Sequence, residues 1–493
     1  MTASTRSRRD FLRRAGLAAA GATVAPAVLA ACGSGRAPTT TPDAVIDHAP
    51  ADSGIDTVVV VTMENRSFDH LMGGLATDAA YLEAGRRRYG ARFRVDGAQH
   101  QSYRDPEGRE FETEPLVGNA LEADPWRGCS HPVPGHGWNS GRAQMRRGFL
   151  GAGTGNDEYA LGFFTPQNLP FHLALARRFT VCDHWHAPLM AGTFPNRQYL
   201  HAATSGGRKE DPIPLRPGIF TGETIWDRLR AAHVPAGYYY TDLPILALWD
   251  SHTYDRISVV DDYFADAAAG TLPAFTMVDP GFLGPKRSDD HTYADVRIGQ
   301  RFLREVFRAF AESKHWERGL FVLTYDEWGG FFDHVPPPRV PDDRTSPDWY
   351  DDFGQTGFRV PAIVASPRAA TGAVDHHRYD HTSILRFLEW RFLGAPARGP
   401  GGAGHWWLTT RDRYANNVGE ALWTGRADPE LGFDLDMALA QPTPPCGPYP
   451  QTPEPGSAVG ASGEWDLDQS LVALTQDRFT PAGSPAWLEN LDF

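Results

Sequence analysis

The 493-residue chain is long enough for one large domain or two ordinary ones, and its 41% hydrophobic and 12% aromatic content excludes a low-complexity or collagen-like polymer. A formal net charge of −14 argues against general nucleic-acid binding, because a phosphate backbone would be repelled. Its 40 prolines and 50 glycines call for many loops, as in a sheet scaffold that carries its site on long connections.

Residues 1–31 read as an export signal. Arg8 and Arg9 in "SRRDFLRR" precede an apolar, Ala-rich run from Ala15 to Ala31, and paired arginines followed by Phe-Leu have the twin-arginine form. The run is thin for a membrane span. It ends in "LAAC", a lipobox-like sequence that predicts acylation of Cys32; an ordinary cleaved signal with an incidental Cys32 is the alternative. The expected route is the twin-arginine export machinery, and the expected location is the cell envelope, anchored to the membrane surface through Cys32, or the exterior. Residues 32–54, rich in Thr, Pro, Ala and Gly, predict a flexible tether. Three further cysteines follow. Cys182, after "FTV", reads as a buried small hydrophobe, which leaves Cys129 and Cys446 as the expected disulfide pair.

Strands are predicted at 57–63 ("TVVVVTM"), 235–242, 273–279, 319–326 ("GLFVLTYD") and 360–366. Between the third and fourth, "DVRIGQRFLREVFRAFAES" carries Val296, Phe302, Leu303, Val306, Phe307 and Phe310 at helical spacing. Strand, helix, strand in that order predicts a parallel βαβ unit and an α/β core. A second helix, "DHTSILRFLEWRFLG", follows the last strand. Residues 74–180 show few strands and read as long insertions capping the site. The expected parse is one catalytic domain over 55–430 with a peripheral tail, 431–493, in which only "SLVALTQDRF" has any core pattern.

In a parallel sheet, ligands bind beyond the carboxyl ends of the strands, so the polar residues that end strands are the candidates. The first strand ends in Glu64 and Asn65, and the strand at 319–326 ends in Asp326 and Glu327. Together they make three carboxylates and an amide, a set suited to a hard cation. Gly329 and Gly330 would let the backbone turn sharply beside them. The plainer alternative is that each pair caps the next element. "MAGTFPNRQY" offers Thr193 at the start of a helix as a hydroxyl that a cation could activate, and Arg197 as a bidentate phosphate ligand. His136, His291 and His334, flanked by Gly, Asp or aromatics, are candidates to donate to phosphoryl oxygens or to protonate a leaving alcohol. His131, His184, His186 and His381 are weaker candidates, some of them expected to lie behind the site.

"TMENRSFDHLMG", "AGTFPNRQY", "DDHTYADVRIGQRFL", "YDEWGGFFDHV" and "DHTSILRFLEWRF" together resemble the bacterial phosphoesterase family. That family contains phosphatidylcholine-type and plant non-specific phospholipases C and an acid phosphatase branch, within the alkaline phosphatase superfamily. The resemblance runs from about residue 55 to 395. It implies an alkaline phosphatase-like α/β core with a mostly parallel central sheet flanked by helices. It also implies one divalent metal ion (Ca²⁺, Mg²⁺, Mn²⁺ or Zn²⁺) held by Glu64, Asn65, Thr193, Asp326 and Glu327, with Thr193 as nucleophile and His136 and His291 near the phosphate. The role of His334 is less defined. A threonine at 193 also argues against sulfate-ester chemistry, since sulfatases mature a Cys or Ser there to an aldehyde. The implied activity is phospholipase C-type hydrolysis of a phospholipid or other phosphate ester through a phosphothreonine. An acid phosphatase-like phosphomonoesterase and a non-catalytic phospholipid-binding lipoprotein are the alternatives.

Overall fold

The computed structural model describes residues 43–119, 124–211, 218–249, 257–284, 286–401 and 406–446. The signal, Cys32 and the "SLVALTQDRF" segment lie outside the described residues. The strands are β1 (Thr57–Met63), β2 (Ser102–Arg104), β3 (Glu110–Glu112), β4 (Glu114–Pro115), β5 (Gly162–Phe163), β6 (Thr180–Cys182), β7 (Ala236–Tyr240), β8 (Ile257–Val259), β9 (Phe275–Asp279), β10 (Gly319–Tyr325), β11 (Ala362–Ala365) and β12 (Val374–Asp375). The helices are α1 (Phe68–Leu71), α2 (Ala79–Tyr89), α3 (Trp138–Arg147), α4 (Pro170–Arg178), α5 (Thr193–Ala202), α6 (Ile225–Ala231), α7 (Val260–Ala269), α8 (Val296–Ala311), α9 (Thr382–Leu393) and α10 (Thr410–Tyr414).

The main sheet has the order β12-β6-β11-β10-β1-β9-β7-β8. Only β11 reverses, lying antiparallel to both β10 and β6; the other neighbouring pairs are parallel. The expected parallel unit of β9, α8 and β10 is present, but β1 lies between its two strands. Every residue of β1 and of β10 is buried, as apolar runs must be when helices cover both faces of a sheet. α8 follows from its sequence: the Asp295 side chain accepts the Arg297 N–H at its start, and Phe302, Leu303, Val306, Phe307 and Phe310 turn one buried face to the core.

One expectation about organisation changes. Residues 43–54 are not a free tether: Val45 and Ile46 are buried, and the Val45 N–H donates to Leu422 O, because two apolar side chains find a surface to cover. The described part of the tail is laid along α8, whose Arg304 and Arg308 donate to Met437 O and Leu435 O. The strand at 360–366 is antiparallel. Cys129 and Cys446 form the expected disulfide, and Cys182 is free and buried. Among the described residues, no helix is long and apolar enough to cross a membrane.

Candidate active site

β1 and β10 are adjacent and in register, Met63 opposite Tyr325, so their ends deliver Glu64–Asn65 and Asp326–Glu327 to one place on the carboxyl rim of the sheet. The turn after β1 takes Asn65 to φ +62°, a left-handed conformation that Asn tolerates better than most residues. Its N–H donates to Asp326 Oδ1 at 3.2 Å, and its side-chain amide to Glu64 Oε2 at 3.3 Å. Gly329 and Gly330 adopt φ +65° and +73°. A Cβ on Gly329 would stand 2.1 Å from Asn65 O, and one on Gly330 2.5 Å from Gly135 O, so both must be glycine. That second contact brings in the 74–180 insertion, which lays Pro134–His136 over the turn.

Thr193 is the first residue of α5, and its Oγ1 donates to Glu64 Oε2 at 2.9 Å. Asn196 ties the preceding loop to the helix: its Oδ1 accepts the Leu189 N–H, and its Nδ2 donates to Ala191 O and Gly192 O. Asp211 accepts the Phe194 N–H at 2.9 Å, capping the end that Gly192 cannot. The hydroxyl is thus held by a buried helix start with no exposed side chain.

Glu64, Asn65, Thr193, Asp326 and Glu327 are all fully buried. Among the described residues, Asn65 Oδ1, Asp326 Oδ2 and Glu327 Oε1 have no hydrogen-bond partner, though the Arg197 Nε lies 3.4 Å from Asp326 Oδ2. Burial, then the Asp326 charge, pushes Glu64 and Glu327 well above the usual carboxyl range, and burial pushes Asp326 up to about 6. Buried, partnerless acceptor oxygens among mutually repelling carboxylates are what a hard divalent cation satisfies, so the donor set fits one.

His291 arrives on the loop whose Asp289 O accepts the Glu64 N–H and whose Asp290 O accepts from Arg66. The two histidine rings lie 5.9 Å apart, nearly perpendicular. His136 Nδ1 donates to Pro134 O at 2.8 Å and His291 Nδ1 to Thr292 O at 3.1 Å. A carbonyl partner fixes the proton on Nδ1, which leaves Nε2 as the nitrogen that exchanges one.

Residues 55–393 match the family model described as the Phosphoesterase family. The chain belongs to the phosphoesterase family. Non-specific phospholipase C4 of Arabidopsis thaliana is 31% identical over 369 residues, 67% of this chain and 66% of the relative. Non-hemolytic phospholipase C of Pseudomonas aeruginosa is 29% identical over 449 residues (79% and 60%), and phospholipase C B of Mycobacterium tuberculosis 30% over 404 (69% and 74%). The match spans about two thirds of the plant relatives' length. Among solved structures, the phosphonate monoester hydrolase of Agrobacterium radiobacter covers 70% of this chain and 76% of its own at 10% identity, with a TM-score of 0.31. A protein in the alkaline phosphatase superfamily from Vibrio parahaemolyticus covers 55% and 71% at 12% identity, with a TM-score of 0.30. Likenesses this distant carry no inference.

A phosphoesterase hydrolyses phosphoric ester bonds, and two sequence expectations about how this one does so change. Arg197 does not reach toward a substrate. It is fully buried and bonded to Glu64 Oε1, Asp279 Oδ1 and Thr62 O, a cation set among the carboxylates from behind. His334 is not with His136 and His291. It lies between Asp69 (2.6 Å) and Asp96 (3.2 Å), in a network around Arg359. Of the weaker histidines, His381 does back the site: Trp185 donates to its Nδ1, and its Nε2 donates to Asp326 O at 2.8 Å. Asp279, Asp289 and Asp211 were missed. Asp279 ends β9 on the same rim, so the rule that found Glu64 and Asp326 also finds it. Asp211 and Asp289 sit in loops with no such signal.

Proposed function

We propose that this phosphoesterase is a metal-dependent phosphodiesterase of phospholipase C type, cleaving phospholipid to diacylglycerol and a phosphorylated head group. The carrying observation is the Thr193 hydroxyl donated at 2.9 Å to Glu64 within a buried acidic set that is short of positive charge. The names of the plant and bacterial relatives support the substrate class. Glu64, Asn65, Thr193, Asp326 and Glu327 would hold the divalent cation, which would supply charge neutralisation and acidify the hydroxyl.

The chain's own groups do the rest. Glu64 takes up the hydroxyl proton. Thr193 Oγ1 attacks phosphorus in line; the new P–O bond forms as the bond to the glycerol oxygen breaks, giving a phosphothreonine. His136 or His291, protonated at Nε2, delivers a proton to the departing alkoxide and then serves as base for the water that hydrolyses the phosphothreonine. Arg197 holds Glu64 in place throughout. The enzyme is proposed to act at a membrane surface, anchored through acylated Cys32 after twin-arginine export.

The test is turnover of p-nitrophenylphosphorylcholine against p-nitrophenyl phosphate by mature protein, before and after chelation. Diester preference, lost on chelation and restored by a divalent cation, is expected. Thr193→Ala is expected to lose at least ~10³-fold in turnover, the scale of removing a nucleophile. A monoester preference would move the enzyme to the phosphatase branch with the same residues, and wild-type turnover by Thr193→Ala would end the covalent scheme.

A further inference from the structure

The rim that carries Glu64 continues across β11 to β6 and β12, and a second group of ligating side chains stands there. Parallel pairing sets Val374 beside Val181 and Asp375 beside Cys182. One residue further along both chains, His376 and Asp183 meet, with His376 Nδ1 2.8 and 2.9 Å from the two Asp183 oxygens. His184 follows Asp183, and one ligating atom from each of Asp183, His184 and His376 lies within 4.8 Å of the others. Asp96 closes the group: its N–H donates to Asp183 Oδ2 at 2.7 Å, and its Oδ2 lies 3.0 Å from His184 Nε2. Two antiparallel steps return β6 to the direction of β10, so the cluster shares the carboxyl rim with Glu64, three strands away, or roughly 14 Å.

We propose that Asp183, His184 and His376, completed by Asp96, form a second metal site that takes a divalent transition-series cation of the zinc class. The donor types decide the class. Two imidazoles and two carboxylates suit zinc and its neighbours, whereas calcium and magnesium favour all-oxygen sets such as the one at Glu64. Charge points the same way. Asp69, Asp96, Asp183 and Asp333 surround one buried guanidinium, Arg359, which bonds to Asp69 and Asp333 and to the carbonyls of Asp96 and Asp183. That guanidinium and the His334 imidazole between Asp69 and Asp96 face four carboxylates, an acidic set into which a cation fits.

The surroundings are those of a built site. Asp183 is fully buried and its backbone is pinned by Arg359, while His184 and His376 remain 27% and 38% exposed at the side chain. Both imidazoles line a cleft of about 510 Å³, which gives an ion its way in. Two other acid-containing clusters of similar tightness lack these features. In Asp124–Cys129–Cys446 the thiols form the disulfide, and in Asp69–Asp333–His334 both carboxylates are bonded to Arg359. A single metal is the expectation from the sequence, where only one full set of ligands is legible; strand register assembles the other from residues that follow β6 and β12.

The test strips mature protein of metal and titrates it with Co²⁺, reading the intense visible bands of tetrahedral cobalt, and with Zn²⁺, reading equivalents bound per chain. Wild type is expected to show the bands. His376→Ala and, separately, His184→Ala are expected to lose them and to bind one zinc fewer. Glu64→Gln is expected to keep them, so failure of the phospholipase reading and failure of this one are separable. An absence of tetrahedral bands in wild type, or equal zinc stoichiometry in wild type and whichever histidine variant folds, would overturn the proposal.

Discussion

Arg197 shows how a single side chain can decide what a carboxylate cluster does. It is the only guanidinium or ammonium group, among the described residues, bonded to Glu64, Asp279 or Asp326, and those acids are otherwise surrounded by protein. Truncation to Arg197→Met removes the cation and leaves buried charge uncompensated, a change that costs about 3–5 kcal/mol. Urea denaturation in the presence of chelator is expected to show a loss of that size, and added divalent cation is expected to recover part of it. A loss below about 1 kcal/mol would mean that protons, not Arg197, neutralise the acids. Lysine does not substitute, because one ammonium cannot address Glu64, Asp279 and Thr62 O from the positions that three guanidinium nitrogens occupy.

At the scale of elements, α9 and α10 meet through a pair of acids that catalysis does not use. Asp412 accepts the Leu408 and Thr409 N–H groups at 2.7 and 2.8 Å, which offsets part of the upward push that burial gives its carboxyl; burial, then the Asp412 charge, pushes Glu389 well above the usual carboxyl range. Glu389 therefore keeps a proton in the folded state that it loses when unfolded near neutrality. Its folded value lies above its unfolded one, so the stability it contributes is intact in acid and is lost as pH rises through the folded value. Glu389→Gln, which can still donate to Asp412, is expected to flatten this dependence and to gain about 1 kcal/mol at pH 9 while changing little at pH 5, read from denaturant midpoints. A wild-type curve that is already flat from pH 5 to 9 would count against the shared proton. The contrast with the active site bears on what a sequence reveals. Glu64, Asn65, Asp326 and Glu327 were legible because an apolar run stopping at paired oxygen donors is a local signal. The pairing of Glu389 with Asp412, Asp211 at the start of α5, and the inward turn of Arg197 depend on residues distant in the chain. Direction is equally silent: "VPAIVAS" has the same composition whether β11 runs with its neighbours or against them, and β6, β8 and β12 are too short to stand out.

For the molecule as a whole, the disulfide joins the tail to the loop that leads into the site. Cys129 and Cys446 are 317 positions apart, so closing that loop removes much of the entropy of the unfolded chain. The same joint braces the segment that carries His291. Arg127 donates to Tyr293 O and to Thr443 O, and the Thr443 N–H donates to Asp295, which caps α8. Cys446→Ser is therefore expected to cost about 2–5 kcal/mol in stability and, in protein that remains folded, to lower turnover by loosening the 289–295 loop. Limited proteolysis separates the two anchors of the tail. Cleavage within 431–446 that becomes fast in Cys446→Ser would assign the hold to the disulfide. Unchanged protection would assign it to Arg301, Arg304 and Arg308, which donate along α8 to the carbonyls of Leu439, Met437 and Leu435. In that case reduction should leave turnover unaffected, because the brace on His291 would survive without the sulfur bridge.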